Sequence, residues 1–164
     1  MVEPATITQV FNRMIEAFSF LETSEKKAVI RSLRIIYFYP DELLGVLNEL
    51  IETDAADPEK AIAVGAGLLP DQTGVEESLA FITSKSVTTN LKLSIEMVEQ
   101  LREIADFKVG VRGNLHSMFF TWMFTRDKDE LLKLARVTRD EIVLLNSKIR
   151  TLEKTMDQPK TGTK

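Results

Sequence analysis

The chemistry open to this chain is bounded first by the residue types it lacks. It has no cysteine and one histidine, His116. Thiol nucleophiles, thiolate zinc sites and multi-histidine metal centres are therefore excluded. A serine triad would depend on His116 alone, and the adjacent Ser117 does not sit in a nucleophile elbow. The acid pairs Asp41-Glu42 and Glu76-Glu77 fall at expected helix starts, where the helix dipole accounts for them. Gly65-Ala66-Gly67 is glycine-rich like a phosphate loop, but no Gly-Lys-Ser/Thr ending follows and no strand precedes it. A base, a nucleophile and an orienting group do not come together. The expectation is a non-enzyme with no catalytic residue, metal or cofactor, acting by binding.

The elements that position these residues are mostly helical. In residues 1–83, Val10, Phe11, Met14, Ile15, Phe18 and Leu21 recur at steps of three and four after a capping Thr6. Ser24 caps a second stripe of Ala28, Val29, Leu33 and Ile36, which ends at Tyr39 before Pro40. The segment 41–52 is a third amphipathic helix, and short helices follow from Asp57-Pro58 and from Val75. Residues 1–83 are expected to form a helical N-terminal domain and a possible protein-binding unit. Lys26, Lys27, Arg31 and Arg34 form a basic edge on its second helix. From Leu131 a heptad pattern takes over. Ala135, Ile142, Ile149 and Met156 occupy a; Leu131, Thr138, Leu145 and Leu152 occupy d. Ile at a with Leu at d favours a parallel two-stranded coiled coil over residues 127–158, with Lys148 and Glu153 placed to pair across it. The alternative is that this helix packs on its own domain. Residues 159–164 read as a polar tail.

Between these parts the pattern changes. Val87, Thr89, Leu91 and Leu93 alternate with Thr88, Asn90 and Lys92, which is strand periodicity. Ser94 caps a helix with Met97, Val98, Leu101, Ile104 and Ala105 inward, Gly110 interrupts, and a second stripe runs through Leu115, Met118, Phe119, Trp122 and Met123. A lone strand leaves its backbone groups unpaired, and the same strand of a second copy would satisfy them. One continuous helix over residues 75–108 also fits, because Leu93, Met97, Leu101 and Ile104 make a helical stripe.

Residues 87–125, with Asn90-Leu91-Lys92-Leu93-Ser94, Glu96-Met97-Val98, the Leu101/Ile104/Ala105 face and the Gly110 turn, resemble the ribbon-helix-helix repressors of the Arc and MetJ type. The resemblance covers about a quarter of the chain and departs from the family in two ways. No clear Ser/Thr cap precedes the second helix, and 86 residues lie before the ribbon. It implies a mainly α fold with one short β-ribbon strand in a DNA-binding unit over residues 84–126. It also implies base reading by Thr88, Asn90 and Lys92 in the major groove. Phosphate contacts would come from Lys85 and Lys108 and from the helix start at Arg112, Gly113 and Asn114. Homodimerisation would use Leu91 and Leu93 under the ribbon, Trp122 as an anchor, and Ile142, Leu145, Ile149 and Leu152 in the coiled coil.

Charge agrees with a local rather than a general nucleic-acid surface. The net charge is −4, with 6 Lys/Arg against 14 Asp/Glu in residues 1–83 and 6 against 4 in residues 84–126. Two functions follow. The first is a sequence-specific regulator that binds double-stranded DNA as a homodimer or higher oligomer. The second is an all-helical assembly or adaptor protein that binds other proteins through its bundle and coiled coil. The missing cysteines, the lack of a basic-then-apolar leader and the absence of any apolar run near ~18 residues point to the cytoplasm, with no membrane partner.

Overall fold

A single long helix organises the molecule. The computed structural model describes residues 2–69 and 71–156. Among them are nine helices and no strand: α1 (Pro4–Phe18), α2 (Thr23–Tyr37), α3 (Asp41–Glu52), α4 (Pro58–Gly67), α5 (Gln72–Ile82), α6 (Lys85–Asn90), α7 (Ile95–Ala105), α8 (Val111–Thr125) and α9 (Lys128–Lys154). With 27 residues, α9 is about 40 Å long. Asp127 starts it by accepting from the Glu130 N–H at 3.1 Å. Along its length it packs against α1, α2, α3 and α8. α5 lies on α2, α4 on α3 and α8, and α7 on α1 and α8.

The heptad stripe is therefore used within the chain. Leu131, Ala135, Ile142, Leu145, Ile149 and Leu152 are buried among the neighbouring helices. A stripe repeating every 3.5 residues shows that one face is covered; it does not identify what covers it. Here the cover is α1, α2, α3 and α8, so Ile142, Leu145, Ile149 and Leu152 are not presented to a second copy. The charges expected to bridge a coiled coil are also engaged internally. Lys148 Nζ donates to Asn12 Oδ1 at 2.9 Å, and Arg34 pairs with Glu153 at 2.8 Å. The residues expected in a frayed tail, with the last two positions of the expected coil, lie outside the described residues.

The ribbon is overturned. Residues 85–90 are helical and Leu91 ends that helix, so the mainly α part of the expected fold stands and the β-ribbon strand does not. Val87 and Leu91 are four residues apart and both buried, as one helical face requires. The threonines that suggested a strand turn their hydroxyls back on the helix: Thr88 Oγ1 donates to Ser84 O at 3.0 Å and Thr89 Oγ1 to Lys85 O at 2.7 Å. Lys92 then takes φ 55°, and the Leu93 N–H closes the turn on Thr88 O at 2.9 Å. The continuous helix is also interrupted, at 83–84 and at 91–94. Ser94 does cap α7, accepting from the Met97 N–H at 3.2 Å. Elsewhere α1 begins at Pro4 rather than after Thr6, and α2 at Thr23.

The link from α2 to α3 is fastened by α9. Asn146, 1% exposed, accepts from the Tyr39 N–H and donates to the Tyr39 carbonyl, both at 2.9 Å. It satisfies both backbone groups of a residue outside any helix. Tyr37 donates from its hydroxyl to the Leu101 carbonyl at 2.7 Å, tying α2 to α7.

Candidate functional site

The residues expected to read DNA do not form a row. Thr88 is half-buried and bonded to its own helix. Asn90 Nδ2 donates to Glu25 Oε1 at 2.7 Å. Lys92 lies in the turn, with Nζ 5.3 Å from the centre of the Phe20 ring. Without a strand their alternation has no common edge, so the ribbon reader is withdrawn. The expected phosphate contacts divide likewise. Lys85 and Lys108 are exposed, whereas Arg112, Gly113 and Asn114 are buried. The Asn114 N–H already bonds Gly110 O at 2.9 Å. Leu91 is fully buried and Leu93 partly so within the monomer.

Burial at the start of α8 has a packing cause. A Cβ on Gly113 would overlap the Lys108 carbonyl, and one on Gly110 would overlap the Ile104 carbonyl. Both glycines let α8 press against the chain leaving α7. Beneath them lies a polar cluster. Arg112 Nη1 donates to Gln72 Oε1 at 2.6 Å and the guanidinium also bonds Tyr39. Asn114 Nδ2 donates to Glu141 Oε2 at 3.3 Å. Burial pushes the Glu141 carboxyl up to about 7 and holds the Tyr39 phenol well above its ordinary value. Tyr39, Arg112, Asn114 and Glu141 are buried and, with the exposed Gln72, join the link between α2 and α3 to α5, α8 and α9. Among the described residues no group of three or more His, Asp or Glu side chains is placed to hold a metal ion.

The outward side of α8 differs from the rest of the surface. Gly113 to Thr125 contains no charged residue. Met118 is buried and Leu115 and Trp122 are half-buried against the bundle, but Phe119, Phe120, Met123 and Phe124 remain exposed, Phe124 at 72%. Phe120 and Phe124 belong to a ladder of rings with Phe107 and His116. Phe107 stands 5.1 Å from His116, His116 4.5 Å from Phe120 edge-on, and Phe120 stacks on Phe124 at 5.6 Å with 6° between planes. Residues 116, 120 and 124 are spaced by one helical turn, which lines them up on one face.

Between α8, α3 and α4 runs an apolar groove. Its deeper part, about 230 Å³, is walled by side chains such as Leu47, Ile62 and Phe119, with Arg112 and His116 its polar members. A second part of about 220 Å³ shares Ile62, Ala66 and Phe119 and ends at Trp122, Glu59 and Arg126. Glu59 accepts from Trp122 Nε1 at 2.9 Å and from Arg126 at 2.8 Å. The hydrogen bond from Trp122, then one from its own backbone, with a smaller contribution from Arg126, holds its carboxyl below the usual value.

Sequence reasoning placed Phe119 and Met123 on the inward stripe and Trp122 at a dimer contact, and it missed the ladder. The signal was present: a helix apolar on every side carries more hydrophobic surface than one buried face uses. Comparison of the chain with family models, with curated proteins and with solved structures finds no match in any of the three.

Proposed function

We propose that this chain is an all-helical assembly protein that acts by binding rather than catalysis, and that its contact surface is the aromatic ladder on α8. The observation that carries the reading is the set of four large apolar side chains exposed along Gly113–Thr125, a stretch of α8 without charged residues. An aromatic side chain buries ~150–250 Å² when covered. At these exposures the ladder offers roughly 400–500 Å² of apolar surface. That is at the upper end of what monomers ordinarily expose, and about half of a standard interface per partner.

The favoured occupant is a second copy. In a two-fold interface the residues near the axis face their own twins. A charged helix would meet like charge there. The stretch Gly113–Thr125 meets only uncharged aromatic, thioether and hydroxyl groups. Two α8 helices crossing antiparallel would cover Phe120 and Phe124 on both sides, with Phe107 and His116 at the margin. The homodimer of this reading thus uses a surface other than α9. The helical surface of residues 1–83 stays available for a further protein partner. Among the described residues no helix is long and apolar enough to cross a membrane. With the cysteine-free composition, the reading places the protein in the cytoplasm.

Sedimentation equilibrium tests this. The wild type is expected at twice the 18.6 kDa chain mass at ~10 µM. The double variant Phe120→Asp/Phe124→Asp is expected at the single-chain mass with unchanged helical circular dichroism. A wild type that stays monomeric at ~100 µM, or a double variant that still dimerises, overturns the reading.

A further inference from the structure

We propose that the groove between α4 and α8 is a binding site for an elongated apolar molecule with one acidic head, of the class of a medium-chain carboxylate. Three observations lead there. The first is shape. The two parts of the groove are continuous through Ile62, Ala66 and Phe119. Together they reach the lower end of the ~300–1,000 Å³ that small-molecule sites occupy, and their line follows α4. A linear chain fits this better than a compact ring.

The second is the wall. Small residues on α4, among them Ala61, Gly65 and Ala66, open the groove. A Cβ added at Gly65 would meet the Leu43 side chain at 3.5 Å, an ordinary van der Waals contact, so α4 lies close to α3 there.

The third is charge. The deeper part has Arg112 and His116 in its wall and no acidic residue. At the other end Glu59 and Arg126 neutralise each other at 2.8 Å. Only the Arg112–His116 end favours an anion, so the head group lies there and the tail runs toward Trp122. Arg112 is held by Gln72 and Tyr39, which fixes the guanidinium before a ligand arrives. The groove borders the surface proposed for self-association and shares Phe107, His116, Phe119 and Met123 with it. Phe120 and Phe124 do not line the groove, so substitutions at those two test self-association without altering the groove wall.

The chain carries its own reporter, because Trp122 is the one tryptophan and stands in the groove wall. Full-length protein is titrated with decanoate and with decanol, following Trp122 emission and confirming by calorimetry. The expected result is saturable decanoate binding, with decanol weaker by at least about fivefold. Ala66→Phe and Ala63→Phe, at exposed positions on α4 that face the groove, are expected to abolish binding while keeping the helical content. Phe124→Asp is expected to retain it whatever its effect on mass. No saturable decanoate response, or wild-type binding by both filled variants, overturns the site. Equal affinity for decanoate and decanol overturns the assignment of the anionic end.

Discussion

Glu141 is 6% exposed on a helix whose inward face is otherwise largely apolar. Its carboxyl accepts from Asn114 through Oε2, while among the described residues Oε1 has no hydrogen-bond partner. Desolvation raises its pKa from 4.5 to about 7, so the folded state holds the proton more tightly than the unfolded chain. The stability this group supplies is complete below pH ~4.5, falls as pH rises, and is gone above pH ~7. The difference is on the order of 3 kcal/mol. Glu141→Gln keeps the shape and removes the titration. Urea midpoints at pH 5, 6, 7 and 8 are expected to show the variant gaining on the wild type as pH rises. A constant gap between the two would show that Glu141 titrates normally. Little of this environment was legible in the sequence, because Tyr39, Gln72, Asn114 and Glu141 lie far apart along the chain. Gly113 shows the same limit. Inside a helix it reads as a weak helix former, while its packing role depends on the Lys108 carbonyl, a contact made by the fold.

Elements were easier to read where one pattern had one meaning. The third helix, Asp41–Glu52, follows from its leucine spacing and the preceding proline. Two elements were ambiguous for physical reasons. In residues 87–93, Val87 and Leu91 fit a strand at step two and a helix at step four, and threonines favour strands unless their hydroxyls bond back to the helix, as they do here. In α9 the heptad stripe was legible and its cover was not. The two origins of that cover separate by experiment. Leu145→Ala deletes a side chain 1% exposed in the monomer. It is expected to lower stability by about 2–5 kcal/mol and to leave the oligomeric mass unchanged wherever the chain stays folded. Dissociation to the monomer mass without a loss of stability against urea would instead show that α9 faces a second copy.

At the scale of the whole molecule, charge and apolar surface are separated. Exposed ion pairs join distant elements, Arg34 to Glu153, Arg150 to Asp41, Lys128 to Asp54 and Arg126 to Glu59. The outward face of α8 carries no charge. A net charge of −4 spread over such a surface repels a second copy weakly and at long range, and salt screens it within ~10 Å at 0.1 M. Attraction through the ladder comes from apolar burial, which salt does not weaken and sulfate strengthens. An α8 dimer should therefore hold or tighten as sodium chloride rises from ~0.05 to ~1 M, and tighten further in ammonium sulfate. A dimer held by ion pairs, or one pairing the acidic surface of residues 1–83 with the more basic remainder, would loosen over the same range. Sedimentation at the two salt concentrations separates these cases. A dissociation constant that weakens about tenfold or more would move the interface away from α8 and onto the charged surface.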